Sequence, residues 1–221
     1  MAEMTDPVEQ AGVWVEIPQG YAALPLTGIA ETVEAVGKLV TELGPPNIRE
    51  AGDTVLSSLQ VFLETLAERR AVYCGVGRHR SALNDQLITS SLVVTLLEFP
   101  EENNPRLVLK DLLEAKAGAG EAGQTDLVDL PNGPALFFER VTLMPAPAIP
   151  GQHVLAEGVE SPVWQLEAFV PSPQGDKLAT IEVSTPFAEH GPQYRAMLVA
   201  MASGVVFEEP VDSDPLAALL G

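Results

Sequence analysis

Apolar and polar residues alternate most clearly between 162 and 210. In Val163-Trp164-Gln165-Leu166-Glu167-Ala168-Phe169-Val170, Trp164, Leu166, Ala168 and Val170 share one face, the two-residue period of a strand. Leu178 to Ser184 reads as its partner. Between them, Pro171-Ser172-Pro173-Gln174-Gly175-Asp176 combines fixed proline φ angles, a permissive glycine and an aspartate able to bond its own backbone, so a hairpin is predicted. A helix follows, with Thr185 as cap and Pro186 at its first position, interrupted or restarted at Gly191-Pro192. Tyr194, Leu198 and Met201 form its inward stripe and Gly204 its stop. Val205-Val206-Phe207 is expected to rejoin the sheet.

The same reading extends to the rest of the chain. Val13 to Pro18 alternates as a short strand closed by proline. From Thr27 to Leu43, Ile29, Val33, Val36, Leu39, Val40 and Leu43 recur at helical spacing, with Thr27 as N-cap and Gly44-Pro45-Pro46 as stop. A second helix is predicted over 48–70, with Val55, Leu59, Phe62, Leu63 and Leu66 on one face. The two are expected to form a hairpin covering a sheet. Ala71–Gly77 and Leu87–Phe99 read as an antiparallel strand pair joined by a polar connection over 78–85, and 106–117 as a third, shorter helix ended by Gly118-Ala119-Gly120. Asp126–Leu130 and Ala135–Leu143 flank Asn132-Gly133, which supplies the positive φ angles of a tight hairpin turn. The stretch 144–161, broken by Pro145, Pro147, Pro150 and Gly151, reads as a long loop.

These elements predict an α+β fold: an antiparallel sheet with helices packed on its faces. The organisation expected is a disordered leader over 1–12, a single domain over 13–207 and an acidic tail over 208–221. The 221 residues suffice for one well-cored domain, and no apolar run approaches the roughly 18 residues of a membrane helix. The acidic start, Met1 to Glu9, lacks the basic and apolar regions of a signal peptide, so a cytoplasmic location is expected. Arginine outnumbers lysine eight to four among abundant Ala, Gly, Pro and Val, a bias that suggests a GC-rich bacterial genome.

Charge narrows the choice of partners. Thirty-one acids against 12 bases give a net charge of −19, which opposes nucleic acid and anionic lipid and favours basic partners. The single cysteine, Cys74, sits among Val72, Tyr73 and Val76 and reads as a buried free thiol. Trp14 and Trp164 read as core residues on strand faces.

Against that acidity, Arg49, Arg69, Arg70, Arg78 and Arg80 gather in or just before the second helix and the following strand, with His79 among them. Arg69, Arg70, Arg78, His79 and Arg80 are the candidate ligand-binding residues. Clustered guanidinium groups bind phosphate or carboxylate bidentately, and Gly75 and Gly77 allow close backbone approach. The bland alternative is that these arginines pair with the surplus of acids. Gly75-Val76-Gly77 lacks the third glycine of a dinucleotide fingerprint, and no Gly-Lys-Ser or Gly-Lys-Thr exists, so no nucleotide and no other cofactor is implied. His79, His153 and His190 lack the spacing of a zinc site, and His190, before Gly191-Pro192, reads as a surface or capping residue. Ser57, Ser58, Ser90, Ser91 and Ser203 stand outside any nucleophile elbow. Glu101-Glu102 and Glu208-Glu209 read as solvated turn charges. No catalytic residue and no metal ligand is assigned, and an enzyme is not the favoured reading. The tail, acidic to Asp214 and apolar over Leu216–Leu220, could dock in a partner's groove, although a frayed terminus explains it better.

The order of elements resembles the PsbP-like α/β/α sandwich, the fold of the photosystem II extrinsic subunit and of a small Ran-binding nuclear import factor. The likeness rests on 13–20, 135–141, 163–170, 178–185 and 194–207, and covers most of residues 13 to 207; it extends to small bacterial cytoplasmic members of that fold. The two-helix stretch at 27–70 is longer than the family pattern. The resemblance implies a binding or accessory role with no shared active site. The leading expectation is therefore a non-enzymatic cytoplasmic protein that binds another protein, as an accessory, chaperone or immunity factor. The competing one is an enzyme or small-ligand binder recognising an anion through Arg78, His79 and Arg80, and a homo-oligomer built through strand edges is a third.

Overall fold

Alternating apolar strands with short turns assemble into one antiparallel sheet. The computed structural model describes residues 12–145 and 160–207, without the side chains of 43, 46–51 and 145. Its strands are β1 (Tyr21–Ala23), β2 (Ala71–Arg80), β3 (Leu87–Glu98), β4 (Gln124–Leu130), β5 (Gly133–Pro145), β6 (Glu160–Pro171) and β7 (Lys177–Thr185). The helices are α1 (Ile29–Leu43), α2 (Pro46–Glu68), α3 (Pro105–Gly118) and α4 (Arg195–Ser203), the last entered through a 3₁₀ segment at Ala188–Tyr194. The seven strands lie in the order β1-β2-β3-β7-β6-β5-β4. The expected α+β class, antiparallel sheet and covering helices are all present. The leader up to residue 11, most of the loop at 144–161 and the tail from 208 lie outside the described residues.

The two sheet faces carry different cores. On one, Trp164, Leu166, Ala168 and Val170 of β6 join Ala179, Ile181 and Val183 of β7 and Leu92, Val94 and Leu96 of β3, beneath Tyr194, Leu198, Met201 and Ala202. The intervening residues supply the other face. There Val108 and Leu109 of α3 pack on Leu136, Phe138, Phe169 and Leu178. Ile29 and Leu63 of the α1–α2 hairpin pack on Cys74 and Val93. Helices thus cover both sides, and the central strands are apolar on both faces, as burial on two sides requires. The alternation read for 163–170 holds on the α4 face, while the opposite face buries Phe169 as well.

Several boundaries differ from expectation for identifiable reasons. Val13 and Val15 are buried, yet 13–18 is not a strand: Trp14 alone bridges Val206, with N···O distances of 2.7 and 3.0 Å. The segment covers the sheet with side chains and does not extend its edge, and the return of Val205–Phe207 is to this bridge and not to the seven strands. The strand nearest the N-terminus of the sheet is instead Tyr21–Ala23, paired with Gly75–Gly77. Helix α1 starts after Gly28, whose φ of 57° is the left-handed conformation that favours glycine, so Thr27 is not the cap. Arg78–Arg80 continue β2 against Leu87–Thr89 and are not a connection. Thr185 ends β7; its hydroxyl donates to the Thr89 carbonyl at 2.7 Å and accepts from the Phe187 N–H at 3.2 Å, so it does not cap a helix. On α2, Leu63 is buried whereas Val55 and Phe62 are exposed, so the inward stripe is narrower than the periodicity suggests. At the β4–β5 turn only Gly133 has a positive φ; the Asn132 amide instead donates to the carbonyls of Ala202 and Val205, tying the turn to the end of α4.

Candidate functional site

Strand alternation separates the arginine island. His79 turns to the α4 face, within 5.3 Å of the Tyr21 ring and 5.5 Å of the Tyr194 ring, centroid to centroid. Arg78 and Arg80, one position either side, point to the opposite face and are exposed. Arg80 pairs with Asp85 at 3.0 Å. Arg69 and Arg70 are exposed at the far end of β2, about 26 Å away at roughly 3.3 Å per residue. Arg70 has a left-handed φ of 60° and its carbonyl accepts from the Leu96 N–H at 3.3 Å, so it serves the exit from α2. The side chain of Arg49 lies outside the described residues. The five candidate residues therefore do not converge on one point.

His79 belongs to a buried polar knot. Its Nε2 lies 2.9 Å from the Ser90 hydroxyl, which is also 2.8 Å from the Tyr21 hydroxyl. Burial holds the His79 imidazole below its ordinary pKa and pushes the Tyr21 phenol up to about 12. The Tyr194 hydroxyl lies near Ser90 without a hydrogen bond of good geometry. A serine beside a histidine has the outline of a nucleophile and base. Here Ser90 is 3% exposed and shared with a tyrosine, and the Nδ1 side of His79 faces Gly20, with no ion pair to a carboxylate among the described residues. The arrangement pairs Tyr21, Ser90 and His79 with one another in a packed setting and does not present a nucleophile to a substrate. His190, read as a surface residue, is 2% exposed, its Nδ1 2.7 Å from the Ser81 hydroxyl. His153 lies outside the described residues. Trp164 is buried as expected, donating to Glu139 at 2.8 Å, while Trp14 is half-buried.

On the helical face a charged network bridges α3 and the sheet. The Lys116 ammonium contacts Glu167 at 2.7 Å and Glu121 at 3.1 Å and lies 4.3 Å from the centre of the Phe138 ring. Arg140 reaches Glu121 at 2.8 Å and Gln165 at 2.7 Å. Glu182, paired in register with Glu167, is held above the usual carboxylate range by burial first and by the Glu167 charge second. Cys74 is a buried free thiol pushed up to about 11 by burial, the state of an unreactive structural cysteine. Among the described residues no group of three or more His, Cys, Asp or Glu side chains could hold a metal ion, and no helix is long and apolar enough to cross a membrane.

An apolar concavity lies elsewhere, between α3 and the ends of β3 and β7. It has a volume of about 450 Å³, and its lining includes Leu97, Phe99, Val108, Leu112 and Leu178, with Glu101 and Asp111 at its margin. Leu97 is 41% and Phe99 37% exposed, although both are large apolar side chains. The wall is pinned: Phe99 N–H donates to the Asp176 carbonyl at 2.6 Å and Asn103 N–H to the Gln174 carbonyl at 3.0 Å. Asn104 then caps α3 by accepting from the Arg106 N–H at 2.9 Å, ahead of Pro105 at the first helical position. Sequence reasoning assigned Glu101-Glu102 to a solvated turn and missed this groove. The available signal was that apolar residues continue through Leu96-Leu97 and on to Phe99-Pro100, past the end of β3. A second groove of about 460 Å³, on the α1–α2 hairpin, mixes polar and charged lining residues such as Glu34, Lys38, Glu42 and Asp53.

No protein-family model matches the chain, and no curated protein matches it.

Proposed function

We propose that this chain is a non-enzymatic accessory protein that binds another protein, and that the partner engages the groove between α3 and the β3–β7 end of the sheet. The observation that carries the reading is a concavity whose wall keeps Leu97 and Phe99 open to solvent, where a folded domain gains by burying them. Its walls are held by backbone hydrogen bonds, so little ordering accompanies binding. The layered arrangement, with helices on both faces of an antiparallel sheet, is compatible with the PsbP-like reading and its accessory role, although 13–18, within one of the segments that carry the likeness, makes only the Trp14–Val206 bridge. Anion recognition at Arg78, His79 and Arg80 has less support, because His79 faces away from both arginines. Self-assembly through the β4 edge has less support too, since Asp126 and Asp129 place acids along it, a common guard against edge pairing.

Affinity capture with the full chain beside a Leu112→Gln chain, both checked for folding by circular dichroism, tests the reading. A stoichiometric partner retained by the first and lost by the second is expected. Equal recovery by both, or no partner with either, overturns it.

A further inference from the structure

Resting on that reading, we infer that the α3 groove takes a basic amphipathic segment of the partner, its apolar residues seated on Leu97, Phe99, Leu112 and Leu178 and its Lys or Arg side chains reaching Glu101 and Asp111. Charge complementarity selects this occupant. No ion pair reaches Glu101 or Asp111 among the described residues, and the nearby cations of α3 are engaged: Lys110 with Glu114 at 3.4 Å, Arg106 with Asp129. The groove lining contains no Lys, Arg or His. A fatty acid or other anionic amphiphile would find an apolar floor and no cation for its head group. A cationic segment finds two free carboxylates, within a protein whose net charge of −19 attracts it from a distance.

The shape agrees. Val108, Asp111, Leu112 and Ala115 recur at i, i+3, i+4 and i+7, so one stripe of α3 forms a wall. The facing wall is the Leu97–Asn103 segment, locked to the β6–β7 turn. Two such walls over an apolar floor match the groove that accepts an amphipathic helix through anchors at similar spacing.

Two fluorescent helical peptides with one apolar pattern, one carrying lysines on its polar face and the other glutamates, are titrated into the full chain, and dodecanoate is added as competitor. The lysine peptide is expected to bind, to weaken as salt rises, and to lose about tenfold in affinity to the chain carrying Glu101→Lys and Asp111→Lys. Both positions are exposed, so folding is retained and the reversed chain is expected to gain affinity for the glutamate peptide. Equal binding of both peptides overturns the inference about charge while leaving the groove as a protein-binding site. Binding of dodecanoate in preference to either peptide overturns both.

Discussion

Gly175, in the β6–β7 turn, lies directly against the backbone carbonyl of Asn103: a Cβ on Gly175 would overlap that oxygen, and the residue holds a left-handed φ of 67°. This contact joins a turn with no groove residue of its own to the wall of the groove. Gly175→Ala is therefore expected to destabilise the fold by about 1–3 kcal/mol, the φ requirement and the overlap acting together. Thermal unfolding measures the loss, and hydrogen exchange is expected to accelerate at Phe99 and Asn103 before it does so in β6.

Lys116 and Glu167 are each 9% exposed and face one another across the helix–sheet seam. Removing Lys116 leaves the Glu167 charge buried without its partner, whereas removing Glu167 leaves Lys116 its contact with Glu121. Lys116→Ala is expected to cost about 3–5 kcal/mol in urea unfolding, and the double change Lys116→Met with Glu167→Gln markedly less. A double change that costs as much as the single one would show that the pair's charge is not what matters there.

Glu182 has its folded-state pKa raised by burial beside Glu167. Its carboxyl contributes stability fully present below the unfolded value near 4.5 and lost as pH rises through the folded value. Glu182→Gln, which keeps the shape and removes the charge, is expected to raise the melting temperature at pH 8 and to have little effect at pH 4. An equal effect at both values would contradict the assignment.

His79 runs the other way. Its folded pKa is lowered by burial, so its contribution is complete above the unfolded value near 6.5 and is lost as pH falls toward the folded value. Between pH 7 and pH 5 the native chain is expected to lose stability more steeply than His79→Gln. Parallel profiles would place the acid sensitivity in another group.

The strands of the last quarter were readable because their alternation coincides with burial, as at Trp164, Leu166, Ala168 and Val170. The helical hairpin was readable from its period, although of its two stripes Ile29 and Leu63 are buried while Val36, Leu39, Val55 and Phe62 are exposed. Arg78 to Arg80 misled because polarity reads as a loop, whereas at the end of a strand charged side chains simply project into solvent on one face. Val13 to Pro18 misled because side-chain burial alternates there without a backbone partner along its length. The candidate site was barely legible. Leu97, Phe99, Leu112 and Leu178 come from three elements and the loop after β3, and only the pairing of β3 with β7 and the docking of α3 bring them together. The Glu167–Lys116 contact was hidden likewise, since a glutamate in an alternating strand reads as solvent-facing until a helix covers that face.

Methyl NMR of the full chain during titration with the lysine-faced peptide tests the central claim most directly. Shifts confined to the methyl groups of Leu97, Val108, Leu112 and Leu178, with Ile88, Leu198 and the α1–α2 hairpin unmoved, are the result expected. Shifts centred on the hairpin or on the α4 face, with those four residues unchanged, would contradict it.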